Sequence, residues 1–150
     1  MKISSNKLKD IIDFAYQELE SLYGKDEIRS MIYSIIEHFT GYDLMKILTY
    51  KDELKVSESE LLKINFAIKD LKKEKPLQQI LGYCEFLDVR IEVNQHVLIP
   101  RVETEEIVQR VIKENKGRKN LKIADICCGS GCIAIALKKA FPDANIYAYD

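Results

Sequence analysis

Two carboxylates and two glycines are the residues of this chain whose types and spacing could do chemistry. Asp125 stands near the end of a short apolar run, K-I-A-D-I, which passes straight into C-C-G-S-G at residues 127–131. Gly129 and Gly131 have no Cβ, so the backbone there can take φ > 0 and bring its N–H groups close to a ligand. The next stretch, C-I-A-I-A-L-K-K-A-F (132–141), has helical spacing. A helix starting there aims the positive end of its dipole at the same spot. A second apolar run, 146–149, leads to Asp150. Strand, glycine turn, helix, and a second strand tipped by an acid is an arrangement that holds a nucleoside.

The charge of Asp125 narrows the choice of nucleoside. Gly129 to Ala134 fits the G-x-G-x-x-A form of the dinucleotide fingerprint, and Asp150 lies far enough beyond it to meet a ribose. A pyrophosphate over that loop would be repelled by a carboxylate at position 125. A cationic ligand without phosphate would be favoured. S-adenosylmethionine is such a ligand, with a sulfonium and an amino group for the loop and a ribose diol for Asp150. The electrostatics therefore favour this methyl donor over a nicotinamide dinucleotide.

Other readings of the same residues are weaker. Cys127, Cys128 and Cys132 cluster, but adjacent cysteines do not easily face one ion and no fourth ligand is evident, so no metal site is expected. His38 and His96 read as ordinary histidines without a ligand partner. The four cysteines of the chain are expected to be free thiols. The net charge of −1 gives no field that would gather nucleic acid. No run approaches a membrane span and M-K-I-S-S-N-K-L-K-D is not a signal peptide, so the cytoplasm is the expected compartment.

The elements that would position the loop follow from periodicity. Ser4 or Ser5 is expected to cap a helix with Leu8, Ile11, Ile12, Ala15, Leu19 and Leu22 inward, stopped by Gly24. Asp26 is expected to cap a second, burying Ile28, Met31, Ile32, Ile35, Ile36 and Phe39 and ending at Gly41. A shorter helix from Asp43 carries Leu44, Ile47 and Leu48. Ser57 and Glu60 form a capping box for a fourth, with Leu61, Ile64, Ile68 and Leu71 on one face. Pro76 should end it near Lys75. Residues 1–75 thus read as an all-α bundle, best suited to recognising a partner.

Residues 76–101 read as a hairpin and linker. Leu87, Val89, Ile91 and Val93 alternate with charged residues, the period of a half-buried strand. Tyr83 to Phe86 can pair with it through a turn near Leu87 and Asp88. Val97 to Pro100 is expected to be a strand leading into a helix that carries Ile107, Val108, Val111 and Ile112 inward and ends at Gly117. Acids at 103, 105 and 106 suit the start of a helix, but Arg101 among them is left unexplained by that.

Three segments carry a resemblance. P-L-Q-Q-I-L-G-Y-C-E-F (76–86), V-L-I-P-R-V-E-T-E (97–105) and I-A-D-I-C-C-G-S-G-C-I-A-I-A-L (123–137) resemble the HemK-type protein-(glutamine-N5) methyltransferases, which modify peptide chain release factors. The order of parts is similar too: an all-α N-terminal bundle, a β-hairpin linker, then the start of a class I, Rossmann-like methyltransferase domain of α/β class at 102–150. The resemblance implies a donor site for S-adenosylmethionine on Asp125, Cys127, Cys128, Gly129, Ser130, Gly131 and Asp150. It implies release factors as protein partners and S-adenosylmethionine as cofactor. Two residues depart from the usual pattern: Cys127 stands where glycine is usual, and Val102 where proline is usual.

The family's substrate-amide motif, Asn-Pro-Pro-Tyr, does not occur in these 150 residues. No catalytic residue is therefore assigned, and the expectation is an N-terminal portion without transferase activity of its own. The parent chemistry implied by the resemblance is attack of a glutamine amide nitrogen on the donor methyl. That nitrogen is a poor nucleophile, so positioning and hydrogen bonds would carry the rate. The alternatives are a non-enzymatic release-factor-binding module, a methyltransferase acting on nucleic acid, and a nicotinamide oxidoreductase.

Overall fold

A computed structural model describes residues 5–150 of the chain. It separates into two compact units, Met1–Leu81 and Gly82–Asp150. Among the described residues there are seven helices and two two-stranded sheets, a mixed helix and sheet architecture consistent with the α/β class.

The first unit is helical: α1 (Leu8–Leu19), α2 (Lys25–Thr40), α3 (Leu44–Tyr50), α4 (Glu58–Leu71) and α5 (Leu77–Leu81). Its core is the set of stripes that the spacing selects, including Leu8, Ile11 and Ala15 of α1, Ile28, Ile32 and Ile35 of α2, and Ile64, Ile68 and Leu71 of α4. Helices this short are marginal alone, so these shared faces hold them. Asp43 caps α3 by accepting the Lys46 N–H at 2.7 Å. The Ser57–Glu60 box is formed in both directions, and its hydrogen bonds hold the Glu60 carboxyl below the usual range.

Several boundaries differ from expectation for identifiable reasons. The N-cap of α1 is Lys7, not Ser5, and Ser4 lies outside the described residues. Asn6 and Lys7 are drawn into extended pairing with the segment before α4: the Asn6 carbonyl accepts the Val56 N–H at 2.9 Å and Lys7 bridges Lys55. The helix starts only after that pairing ends. Leu22 lies in the turn beyond α1 and is exposed rather than inward. Gly24, not Asp26, is the N-cap of α2, and Asp26 pairs instead with Arg29 at 3.0 Å. In α3 only Ile47 is buried, while Leu44 and Leu48 face outward.

Helix α4 stops at Leu71 rather than near Lys75. The Glu74 N–H reaches the Leu71 carbonyl and the Lys75 N–H reaches the Asp70 carbonyl, with Glu74 itself left-handed at φ 59°. That is a Schellman closure, and it ends the helix before Pro76 has any effect. Pro76 then opens α5, whose Leu77, Ile80 and Leu81 pack on the helical core.

The second unit begins with a hairpin. Strands β1 (Tyr83–Phe86) and β2 (Val89–Glu92) pair antiparallel, Tyr83 opposite Glu92 and Phe86 opposite Val89. Leu87 and Asp88 make the turn at φ 48° and 59°, the left-handed geometry of a type I′ turn that matches strand twist. Val97 to Pro100 does not form the expected strand. It has no ladder partner, Leu98 is exposed, and proline cannot donate to a ladder. Helix α6 (Val102–Glu114) buries Val108 and partly buries Val111 and Ile112, but Ile107 faces outward. It ends before Gly117, where the Asn115 side-chain amide donates to the Val111 carbonyl.

Strand β3 (Lys122–Ile126), helix α7 (Cys132–Ala140) and strand β4 (Asn145–Tyr149) complete the unit. β3 and β4 are parallel and in register from Lys122 opposite Asn145 to Ile126 opposite Tyr149, with α7 as the crossover. Phe86, Ile91, Val93, Val108, Ala136 and Leu137 form the core of this unit. No helix among the described residues is long and apolar enough to cross a membrane.

Candidate functional site

The carboxyl ends of β3 and β4 carry the residues that the sequence singles out. Parallel pairing continues one step past the strands, because the Cys128 N–H donates to the Tyr149 carbonyl at 3.0 Å. The chain then has to turn from strand into helix within a few residues. It does so with Cys127, Gly129 and Gly131 all left-handed, at φ 61°, 51° and 74°. The Gly131 N–H closes the turn onto the Cys128 carbonyl at 2.8 Å, and the Gly131 carbonyl accepts the Ile135 N–H as α7 begins. A Cβ on Gly131 would find ordinary room, so the backbone angle, not space, is what calls for glycine there.

Each carboxylate has a partner in this turn. Asp125 is buried, and its Oδ2 accepts the Ala134 N–H at 3.2 Å. Ala134 is the third residue of α7, where a helix has an N–H without an internal acceptor. The N-cap residue, Gly131, has no side chain to supply one. A strand acid therefore does the capping, and its charge suits the positive end of the dipole. Asp150 Oδ1 accepts the Gly129 N–H at 3.1 Å. The acid at the tip of β4 is thus fastened to the glycine turn after β3.

The two acids also shape the field at the turn. The Cys128 thiol is pushed up from its ordinary value by partial loss of solvent, with Asp150 and then Asp125 adding to the effect. Negative charge at that point is disfavoured. The carboxylate charges of Asp150 and Asp125, the smaller part of that shift, are what would favour a cation over a pyrophosphate. Cys127 is exposed, Cys132 is buried at the first position of α7, and the Ser130 hydroxyl makes no hydrogen bond among the described residues. No group of three or more His, Cys, Asp or Glu among the described residues is placed to hold a metal.

All seven predicted positions therefore lie in one turn or on the strand ends that flank it. The partner of Asp125 was not legible in the sequence. The signal was present only as an acid inside an apolar strand ahead of a glycine N-cap that lacks a side chain. The Arg101 segment is placed otherwise. Arg101 is the N-cap of α6, its side chain makes no cap bond, and Val102 occupies the first helical position.

The chain is 44% identical over 138 residues to a release factor glutamine methyltransferase of Flavobacterium psychrophilum, covering 89% of this chain and 48% of that protein. Over most of its own length the chain is similar to release factor glutamine methyltransferases. Proteins of the same name from Bacteroides thetaiotaomicron and Streptococcus pneumoniae are 37% identical over 140 residues and 33% over 144, covering 93% and 96% of this chain. The shares of those relatives that are covered are 49% and 50%, so the chain spans about half the length of the curated relatives it matches. No protein-family model matches it. Methyltransferase relatives imply a methyl donor, and the turn between β3 and α7 is where the sequence expectation put one.

Proposed function

We propose that this chain carries the donor-binding part of an S-adenosylmethionine-dependent release factor glutamine N5-methyltransferase. The observation that carries the reading is the Asp150–Gly129 hydrogen bond beside a triply left-handed turn. It puts an acid suited to ribose hydroxyls, a glycine turn and a helix N-terminus side by side. In this reading Asp150 takes the ribose hydroxyls, and Cys127, Cys128, Gly129, Ser130 and Gly131 line the amino-acid and sulfonium end. Asp125 holds α7 in position and adds to the field that favours the cation. β3, α7 and β4 are the opening βαβ unit of a class I, Rossmann-like domain. The helical unit is the part that recognises the release factor. Its exposed Met45, Leu62 and Phe66 supply apolar contact.

The test is titration calorimetry of the chain with S-adenosylmethionine, S-adenosylhomocysteine and NAD in parallel. The sulfonium donor should bind, the neutral thioether more weakly, and NAD not at all. Binding of NAD without binding of the methyl donor would overturn the assignment. Transfer to a release factor is then measured on a protein of the relatives' length, with isotope-labelled donor and a glutamine-to-alanine release factor as control.

A further inference from the structure

A cavity lies at the other end of the β3–β4 sheet from the glycine turn, where the strands begin. A cavity of about 640 Å³ opens there between the end of α6, the loop before β3 and the loop after α7. Its apolar lining includes Ile112, Leu121, Phe141 and Pro142. Lys113, Lys116 and Arg118 stand around it, against the one carboxylate of Asp143.

The cations nearby fall into two groups. Arg110 pairs with Glu114 at 2.8 Å. Lys138 donates to the carbonyls of Pro142 and Ala144, and Lys139 to that of Asp88. Those three have intramolecular acceptors. Lys113, Lys116 and Arg118 make no side-chain hydrogen bond or ion pair among the described residues. Lys113 sits in the last turn of α6, where the helix dipole welcomes it. Lys116 and Arg118 lie beyond the helix, and the dipole does not account for them.

We infer that this cavity is a binding site for a small organic anion with an aromatic or otherwise flat apolar body and a phosphate or carboxylate group. The volume falls within the range of small-molecule sites, which combine apolar walls with a few convergent polar groups. The apolar residues take the body of the ligand. Arg118 offers a planar fork to the anionic group, and the two lysines supply flexible charge. A nucleic-acid backbone would use the cations but leave the apolar floor empty, so the shape favours the smaller ligand. The site is separate from the glycine turn and stands independently of the donor reading.

Phenyl phosphate and benzoate, with inorganic phosphate as control, are the probes, followed by amide chemical-shift mapping of the chain. The aryl anions should shift Leu121, Phe141 and Ala144 saturably in the millimolar range or below, and inorganic phosphate should bind more weakly. Exchanging Lys113, Lys116 and Arg118 for glutamine should weaken binding about tenfold while leaving the rest of the spectrum folded. A Leu121→Ser variant, which spoils the floor and leaves the charge unchanged, should do the same. Three results would overturn the inference: no saturable shift at these amides, equal binding by the neutralised chain, or an RNA oligonucleotide that binds here while the aryl anions do not.

Discussion

Asp150 and Gly129, twenty-one positions apart, are joined by a 3.1 Å hydrogen bond from the glycine N–H to the carboxylate. The bond uses Oδ1 and leaves Oδ2 for a ligand. A nucleoside that binds through its ribose therefore meets an acceptor already fixed in place, which reduces the ordering that binding must bring about.

Replacing that acid separates the two duties. In Asp150→Ala both the loop bond and the acceptor proposed for the ribose go. Hydrogen bonds to a charged group are each worth about 1.5–3 kcal/mol, so donor affinity should fall by roughly ten- to a hundredfold. Asp150→Asn keeps an oxygen for Gly129 and should lose less. Calorimetry on the two variants is the check, and unchanged affinity in Asp150→Ala would remove Asp150 from the site.

Asp125 makes a different prediction, on stability. Its loss should leave the Ala134 N–H without an acceptor at the start of α7 and take away a charge that the dipole favours. Asp125→Ala should destabilise the second unit by about 1–2 kcal/mol. Amide hydrogen exchange would show it as faster exchange along α7 with α1, α2 and α4 unchanged. Equal protection throughout α7 would mean that the cap is not needed.

Cys127 carries a side chain in left-handed geometry, at φ 61°. A side chain in left-handed geometry costs about 1–2 kcal/mol, while glycine adds about 0.4–1 kcal/mol of freedom to the unfolded chain. The first effect is larger. Cys127→Gly should raise stability by about 0.5–1 kcal/mol, and Cys127→Val should lower it, since a branched side chain tolerates that geometry least. Urea midpoints of the two variants in opposite order would refute the account.

These sites show what the sequence could and could not disclose. The stripes of α1, α2 and α4 were legible because each repeats with the helical period over two turns or more. The hairpin was legible from period-two alternation, although Leu87 and Asp88 lack the glycine that usually marks such a turn. Val97–Pro100 misled because a short apolar run has no period of its own, and only a partner strand makes it a strand. Ile107 misled because it adjoins Val108 in sequence but points about 100° away around the helix. Of the seven candidate positions, Gly129, Gly131, Asp125 and Asp150 drew attention by type, and Cys127, Cys128 and Ser130 entered through the resemblance alone. The Asp125–Ala134 bond and the left-handed Cys127 were not legible, because both depend on how the strand end meets the helix rather than on any local pattern.

Cys128 offers a direct reading of the field at the turn. Its thiol is held above the ordinary value by partial loss of solvent and by the charges of Asp150 and Asp125, so the reactive thiolate appears only at higher pH. Removing one negative charge should bring the thiolate within reach sooner. In Asp150→Asn the pH profile of Cys128 alkylation by iodoacetamide should move to lower pH, and Asp125→Asn should move it by a smaller amount. Cys84, raised chiefly by burial in the hairpin and remote in sequence from both acids, serves as the internal control and should keep its profile. Peptide mapping by mass spectrometry separates the sites, with Cys127→Gly as background so that the adjacent thiol does not compete. A profile for Cys128 that ignores both substitutions would show that lost solvent alone holds the thiol up. The carboxylates of this turn would then give a cationic donor no advantage over a dinucleotide.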